Sequence, residues 1–243
     1  MVQTENTAIV LRHADYRDND RMITLLSPSR GRIDAVIRNC RKPRSHNLNA
    51  GELFALGDYM LYESGGRITV TSVSLIETFY PLRNDYDRLT CGIWLLGLAE
   101  AVIEPEQEQQ ELFMLLLHTL SRLAFSDQEW KPLLAGFLLH FSVCEGFKPR
   151  LNHCVFCGKP VTETEPVFFD PENGGICCGA CRKSRTQEPL SAAQLRWMRA
   201  ALNTGSSSWI NTPDAYAPFS LLRAYTEQRL GRKLRSGMML PSG

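Results

Sequence analysis

The pattern of hydrophobic and polar positions over the first eighty residues predicts short β-strands, and part of it alternates with the period expected of strands with one buried face. The pattern is clearest in Gly31–Asn39, where Ile33, Ala35 and Ile37 fall on one face and mostly charged residues fall on the other. Turn residues separate this run from similar runs on either side. The predicted strands are Thr7–His13, Arg21–Ser27, Gly31–Asn39, Leu53–Glu63 and Arg67–Glu77.

Five short strands with one long polar loop favour a small closed barrel. The loop, Arg41–Asn49, follows the third strand, and Ser64-Gly65-Gly66 marks a tight turn between the last two strands. The five-stranded OB-fold is the leading interpretation of this arrangement. A split sandwich of the same size gives the same pattern, so both architectures stay open at this point.

After the fifth strand the hydrophobic period lengthens to three or four residues, which is typical of helices packed along one face. Three helical faces are predicted there, formed by Leu89, Ile93, Leu96, Ala99 and Ile103, by Leu112, Leu116, Leu120 and Leu123, and by Leu134, Phe137, Leu138 and Phe141. Gly146 followed by Pro149 ends the third helix. Two later helices are predicted at Ser191–Leu202, with Ser191 as N-cap residue, and at Tyr216–Leu230.

Between these helices, two Cys-x-x-Cys pairs, Cys154/Cys157 and Cys178/Cys181, are separated by twenty residues. This spacing is that of a structural zinc site, because a two-residue gap lets both thiolates of a pair face one cation. Four protein ligands leave no position open for water, so the predicted Zn²⁺ is structural and not catalytic. Cys177 breaks the two-residue gap and is the less favoured ligand. Two disulfides or a set of buried free thiols are the alternative.

The predicted fold class is α+β, with an N-terminal OB-fold β-barrel followed by an α-helical domain that carries an inserted zinc ribbon with four cysteine ligands. Pro166–Asp170 is a strand candidate within that ribbon. The predicted domains are the barrel at residues 1–80, the first helical part at 81–150, the zinc-binding insert at 151–186, and the second helical part with the C-terminal tail at 187–243.

Composition narrows the class of protein only slightly. Hydrophobic residues make up 44% and charged residues 22% of the 243 residues, as in an ordinary globular protein. The longest apolar runs are too short to span a bilayer, and no signal peptide is visible. Eight cysteines without a secretion signal favour metal binding over disulfides. We therefore expect a cytoplasmic protein without membrane contact.

The net charge of +1 conceals a strong segregation of charge along the chain. Residues 30–44 carry six basic residues against one acidic residue, and residues 223–235 carry five against one. Residues 100–111 instead hold five glutamates and no basic residue. Clusters of this kind create local fields that attract polyanions even when the whole protein is nearly neutral.

The strongest functional candidate is Gly31–Asn49, in which the third predicted strand leads into a basic loop from Arg38 to Arg44. At the rim of a barrel, its cations can reach along a phosphate backbone and release counterions from it. Four aromatic residues supply either stacking surfaces for bases or barrel core: Tyr16, Phe54, Tyr59 and Tyr62. The alternative for the loop is a solvated segment whose charges keep the protein soluble.

Enzyme motifs are mostly missing from the sequence. It contains no phosphate-binding glycine loop, no dinucleotide-binding glycine motif and no His-Glu-x-x-His motif. Asp15, Asp18 and Asp20 form an acidic cluster that a metal-dependent nuclease would use, although surface acid in a loop is the favoured interpretation. A protein-interaction module stapled by zinc, without DNA binding, is the other alternative function.

The order of these parts resembles the bacterial RecO family of DNA repair proteins. The resemblance covers nearly the whole chain. Each of its motifs is weak alone except the cysteine pairs, but the order of the motifs is specific. The stretches that carry it are Asp20–Pro28, Gly31–Ser45, Gly146–Cys154, Gly174–Cys178 and Leu230–Leu240. One departure concerns the loop, because many relatives have a Lys-Gly-like step where this chain reads Arg38-Asn39-Cys40.

The resemblance implies a recombination mediator and not an enzyme. Members bind single- and double-stranded DNA, anneal complementary strands and engage the acidic C-terminal tail of the single-stranded DNA-binding protein SSB. With RecR they help RecA to load on SSB-coated DNA, which implies a nucleoid-associated protein. By the same resemblance, the DNA contacts are expected at Arg30, Arg32, Arg38, Arg41, Lys42 and Arg44.

Overall fold

The computed structural model describes residues 2–45, 47–163, 165–183, 186–204 and 216–241. It divides into two compact units, one made of residues 1–125 with the segment from Ser236 onward, and the other of residues 126–235. The domain boundaries drawn from the sequence are placed differently and stay predictions. Within the described ranges, every helix is too short or too polar to cross a membrane.

The first unit is built on a closed barrel of five strands, in the order β1-β2-β3-β5-β4. The strands are β1 (Val2–Tyr16), β2 (Asp20–Ser27), β3 (Gly31–Ile37), β4 (Leu56–Ser64) and β5 (Arg67–Glu77). All neighbours pair antiparallel except β3 and β5, which are parallel, and β1 pairs with β4 to close the sheet. The predicted OB-like barrel is confirmed, and the split-sandwich alternative is wrong.

The interior of the barrel is filled by the apolar face of each strand, because side chains alternate across a strand. On β3, the predicted inward residues Ile33, Ala35 and Ile37 are at most 2% exposed. Two of the four aromatic candidates also belong to the core, since Phe54 is 1% and Tyr59 0% exposed. Neither ring is therefore available to a base.

Two helices of the first unit follow the barrel, α1 (Tyr86–Glu100) and α2 (Gln110–Phe125), after a short 3-10 turn at Tyr80–Asn84. Asp85 caps α1 by accepting a hydrogen bond of 3.1 Å from the Arg88 backbone N–H. The Arg88 guanidinium reaches α2 and donates to the Leu123 carbonyl at 2.6 Å. Ile103, predicted on the face of α1, lies beyond the helix end but is buried.

In its described residues, the second unit contains three helices and a small sheet. The helices are α3 (Trp130–Cys144), α4 (Ala192–Asn203) and α5 (Phe219–Arg229). The strands are β6 (Val167–Asp170), β7 (Gly175–Cys178) and β8 (Glu188–Leu190), in the order β7-β6-β8, with a 3-10 turn at Gly179–Cys181. The sequence had indicated only the first of these strands.

Local chemistry explains where the later helices begin and end. Ser191 caps α4 as predicted, and it forms a capping box in which the Ser191 hydroxyl and the Gln194 side chain each bond the other's backbone N–H. α5 is shorter than predicted. It starts after Pro218 and ends before Gly231, whose φ of +66° no continuing helix adopts. A further 3-10 turn follows at Arg235–Met239.

The β2–β3 turn of the barrel is attached to the segment that links α1 and α2. The Arg32 N–H donates to the Glu104 carbonyl at 3.1 Å, and the Glu106 N–H donates to the Arg30 carbonyl at 2.9 Å. Gly31 lies between these bonds with a φ of +62°, and a Cβ there would come within 2.5 Å of the Glu104 and Gln107 carbonyl oxygens. Only glycine fits this position.

We therefore predict that Gly31→Ala lowers the free energy of unfolding by more than about 2 kcal/mol, because left-handed strain adds to a backbone clash. Urea denaturation measures the change. Gly65→Ala is the matched control, since Gly65 has a φ of +57° and open space around its Cα, and it should cost only about 1 kcal/mol. Equal losses in both variants would contradict the packing argument.

Candidate nucleic-acid interface and metal site

The basic loop, residues 38–45, leaves the barrel directly after β3 and is open to solvent. Arg38, Arg41, Lys42 and Arg44 are all exposed. Cys40 is the single buried residue of the loop, at 1% exposure, so its thiol anchors the loop to the barrel end. The loop therefore projects its cations outward from a fixed base.

The loop is held by the β1–β2 turn, residues 17–19, and by the first residue of β2. The Asn39 N–H donates to Asp20 Oδ1 at 2.9 Å, and the Arg41 N–H donates to the Asn19 carbonyl at 3.2 Å. The Arg41 guanidinium also reaches the Asp18 carbonyl at 3.4 Å. Because the first two bonds use backbone groups of the loop, they define its path without occupying its other basic side chains.

Asn39 adopts the backbone conformation that the resemblance, with its Lys-Gly-like step, had led us to expect of a glycine. Its φ is +54°, in the left-handed region that glycine enters without strain. Among the other residues, asparagine is one of the few that tolerate this conformation. The chain therefore keeps a glycine-like bend in the loop without having a glycine there.

The aspartates in and beside the β1–β2 turn, Asp15, Asp18 and Asp20, do not form a metal site. Asp15 lies 3.5 Å from Arg21 and 3.3 Å from Arg41, whereas Asp20 accepts the loop N–H described above. Among the described residues, no three carboxylate or histidine groups come close enough to hold an ion. The acidic cluster acts as a support for the basic loop, which favours the surface interpretation over the nuclease.

A groove of about 510 Å³ lies beside the basic loop. The parallel pairing of β3 with β5 sets Val36 opposite Thr69 and Ile37 opposite Val70, so the loop that follows β3 begins next to the β5 residues that line the groove. The groove is lined by Arg38, Asn39, Lys42, Arg44, Ser45, Asn47, Thr69, Val70 and Thr71. These described lining residues are mostly cationic or polar, and none of them carries an aromatic ring.

Arg30 and Arg32 lie at the other end of β3 and have acidic partners. A strand of seven residues separates the two ends by roughly 20 Å. Arg30 donates to Glu63 at 2.6 Å and to Glu106 at 3.1 Å, and Arg32 donates to Asp34 at 2.9 Å. The hydrogen bond from Arg30 lowers the pKa of Glu106 below its ordinary value. The six predicted cations therefore do not form one continuous patch.

The four predicted metal ligands come together in the second unit. The Sγ atoms of Cys154, Cys157, Cys178 and Cys181 all lie within 4.8 Å of one another, and all four cysteines are free of disulfides. A tetrahedral zinc site with Zn–S bonds of about 2.3 Å has sulfurs about 3.8 Å apart, and the Cys157–Cys178 separation is 3.9 Å. The cluster thus fits a metal such as zinc.

Backbone hydrogen bonds shape the first half of this cluster. The Gly158 N–H donates to the Cys154 carbonyl at 2.9 Å, and the φ of +71° at Gly158 lets the chain turn back. Burial raises the pKa of the Cys154 thiol, but N–H groups from Cys157, Cys178 and Phe156 outweigh it and lower the pKa to about 6. A thiolate forms readily there, as metal binding requires.

The alternative ligand Cys177 points away from the cluster. Successive side chains of β7 face opposite sides of the sheet, so Cys178 joins the other three sulfurs while Cys177 is 0% exposed in the core. Burial raises the pKa of the Cys177 thiol to about 11, which opposes its use as a thiolate. His153 is exposed and does not belong to the cluster.

Comparisons with known proteins identify the family. The model described as Recombination protein O N terminal matches residues 1–79, and the model described as Recombination protein O C terminal matches residues 83–238. The chain belongs to the RecO family of DNA repair proteins. The DNA repair protein RecO of Anaeromyxobacter dehalogenans (strain 2CP-C) is 34% identical, covering 99% of this chain and 96% of its own length.

Other RecO proteins match over similar lengths. The RecO of Synechococcus sp. (strain JA-2-3B'a(2-13)) is 30% identical over 97% of this chain and 88% of its own length. The RecO of Desulforamulus reducens (strain ATCC BAA-1160 / DSM 100696 / MI-1) is 30% identical over 94% of this chain and 90% of its own length. The resemblance drawn from scattered motifs is therefore confirmed.

Sequence reasoning missed two features of this RecO chain. One is the role of Asp20 and Asn39 in fixing the loop, which an asparagine at a glycine-like position could have signalled. The other is the contribution of β5 to the groove through Thr69 and Thr71, which depends on a strand pairing between residues far apart in sequence.

The C-terminal basic cluster of this RecO chain is partly occupied by internal contacts. Arg223 pairs with Glu227 at 2.9 Å, and the Arg229 guanidinium donates to the Glu172 carbonyl at 3.1 Å. Arg232 and Lys233 are exposed beside a cavity at the end of α5. The side chain of Arg235 lies outside the described residues.

The left-handed bend at Asn39 makes a direct prediction. Asn39→Gly should leave the free energy of unfolding unchanged within about 0.5 kcal/mol, whereas Asn39→Val should lower it by about 1–2 kcal/mol because a β-branched side chain clashes at positive φ. Urea denaturation of both variants measures the difference. Equal stability of the valine and glycine variants would show that residue 39 does not hold this conformation in solution.

Proposed function

We propose that this chain is a non-catalytic recombination mediator that binds DNA through the basic loop. The supporting observation is the exposed loop with three cations, Arg38, Lys42 and Arg44, that have no carboxylate partner within 4.0 Å among the described residues. Cations without internal partners are free to pair with phosphates, and each phosphate contact releases condensed counterions. The bonds to the β1–β2 turn reduce the ordering that binding must supply.

The groove beside the loop supports contacts with the DNA backbone more than with bases. Its hydroxyl and amide groups from Thr69 and Asn47 suit phosphate oxygens and sugars. Its described lining residues include no ring that could stack on a base. We therefore propose that the loop binds single- and double-stranded DNA without sequence preference.

The six predicted DNA contacts contribute unequally under this proposal. Arg41 is 38% exposed and shares its charge with Asp15, so its contribution is intermediate. Arg30 and Arg32 are 21% and 26% exposed and paired with carboxylates, so a phosphate must displace those partners first. They are proposed as minor contacts.

Strand annealing follows from the same charge neutralisation. Two complementary strands repel each other through their phosphates, and a cationic surface that binds either form lowers that repulsion. Membership of the RecO family supports the further proposal that this chain engages the SSB C-terminal tail and, with RecR, helps RecA to load on SSB-coated DNA. This work takes place at the nucleoid, in the cytoplasm.

We further propose that the four cysteines bind a structural Zn²⁺. When bound, the ion joins the two ends of the ribbon, and such binding contributes roughly 10–16 kcal/mol in zinc-finger peptides. Cys154 and Cys157 would hold it from one turn, and Cys178 and Cys181 from the end of β7 and the following 3-10 turn. No catalytic role is assigned to this group.

The loop cations give the first test. Replacing Arg38, Lys42 and Arg44 with alanine should weaken binding to single-stranded DNA at least tenfold at about 0.1 M salt, and should reduce the salt slope of log K by about 2, because three phosphate contacts are lost. Filter binding over a salt series measures both. The double variant Arg30→Ala/Arg32→Ala is the matched control and should lose less than about threefold.

The same variants also test annealing. The wild-type chain should accelerate annealing of complementary oligonucleotides coated with SSB, and the loop variant should not, while the control variant should retain the activity. Negligible affinity of the wild-type chain for single-stranded DNA at low salt would refute the proposal of a DNA-binding mediator. It would favour the alternative function, a protein-interaction module without DNA binding.

The metal proposal predicts that purified protein contains one Zn²⁺ per chain by elemental analysis. Cys154→Ser should lose the metal and lower the thermal midpoint of the second unit, because the ribbon has little core to replace it. Cys144→Ser is the matched control, since Cys144 lies on α3 outside the cluster, and it should keep the metal. Wild-type protein without zinc would refute the site.

A further inference from the structure

We infer that the ribbon carries a second nucleic-acid surface, specific for single strands and centred on Phe156. This surface, the ribbon face, consists of Phe156, Lys159, Phe168, Arg182 and Lys183. It rests on the proposed function only in taking DNA as the ligand, and it uses a different kind of contact from the basic loop.

Phe156 is held outward by the chain around it. It lies between the cysteines Cys154 and Cys157 and is 41% exposed. The preceding residue turns inward instead, since the Val155 N–H donates to the Ile176 carbonyl at 2.9 Å and its side chain packs beside Gly175. A large apolar ring kept in water on a fixed turn is an unused contact surface.

Two cations of the ribbon face lie over its aromatic rings. Lys183 Nζ lies 6.0 Å from the centroid of the Phe156 ring, and Arg182 Cζ lies 4.2 Å from the centroid of Phe168. In the part of the chain that the structure describes, no carboxylate lies within 4.0 Å of Lys159, Arg182 or Lys183.

Nearby arginines behave differently. Arg196 and Arg199 both pair with Glu163, at 2.9 and 3.5 Å, and Arg199 also donates to the Leu151 carbonyl. Those two arginines hold the ribbon segment onto α4. The cations of the ribbon face have no such carboxylate among the described residues and remain available for phosphates.

An open aromatic ring next to available cations fits a single strand better than a duplex. An unpaired base can stack on the ring while the neighbouring phosphates contact Lys183 and Arg182, and such stacking is tolerant of sequence. Bases within a duplex are already stacked, and their faces are covered. The ribbon face should therefore discriminate between strand forms, whereas the ring-free groove of the basic loop should not.

The test compares Phe156→Leu with Phe156→Tyr by fluorescence anisotropy, using a labelled oligothymidylate and a labelled duplex. Phe156→Leu keeps an apolar side chain but removes the ring, so single-strand affinity should fall at least about fivefold while duplex affinity stays unchanged. Phe156→Tyr keeps the ring and should bind both ligands like the wild type.

The cations are tested separately. The double variant Arg182→Ala/Lys183→Ala should weaken single-strand binding and lower its salt slope by about 1.4, as expected for two phosphate contacts. Zinc content and thermal midpoint of each variant should match the wild type, which excludes a folding defect. Photo-crosslinking of a 5-iododeoxyuridine oligonucleotide to unaltered protein should label the peptide containing Phe156.

The outcomes separate this inference from the proposed function. If the basic-loop variant binds DNA normally but Phe156→Leu loses single-strand affinity, single-strand binding at the ribbon face is supported and DNA binding through the basic loop is refuted. If Phe156→Leu binds normally and no crosslink reaches its peptide, the ribbon face is overturned whatever the loop does. Normal DNA binding by Phe156→Leu together with loss of binding to an acidic peptide would also overturn it, in favour of a peptide site.

Discussion

Closure of the barrel is the constraint on which the N-terminal part of this protein depends. Hydrogen bonds between β1 and β4 and between β3 and β5 remove the free edges of a five-stranded sheet and give every strand one inner face. The parallel β3–β5 pair also determines where the next loop emerges. As a result, cations that follow β3 in sequence meet threonines from β5 and form the groove.

Carboxylate neighbours then decide which cations are free to act. Arg30 and Lys42 belong to the same basic cluster of the sequence, yet Arg30 contacts two glutamates and Lys42 has no acidic partner within 4.0 Å among the described residues. An ion pair with a partly buried arginine is displaced only at a cost, whereas a solvated cation gains by releasing counterions. Asp20, the first residue of β2, has a further effect, because it fixes the loop backbone while most loop cations stay available.

The stability of the ribbon in the second unit rests on its four cysteines, whereas the stability of the barrel rests on its hydrophobic core. Its strands β6, β7 and β8 have three or four residues each, too few to stabilise a sheet alone. Four sulfurs lie at the spacing that one metal ion requires, and a bound ion would supply the missing cross-link. The turn that places Cys154 and Cys157 also holds the Phe156 ring in solvent, so one local geometry links stability to the proposed recognition of single strands.

The sequence by itself determined the strands and helices whose hydrophobic residues recur at a regular period, and the cysteine pairs whose spacing suits a metal. Strand alternation, helical faces, the Ser191 cap and the two cysteine pairs are local patterns, because each follows from backbone geometry within a few residues. Only the tertiary structure decided which cations are paired, that Phe54 and Tyr59 are core, and that β5 lines the groove. Those outcomes depend on contacts between residues far apart in the chain, such as Arg30 with Glu106, and no local period encodes them.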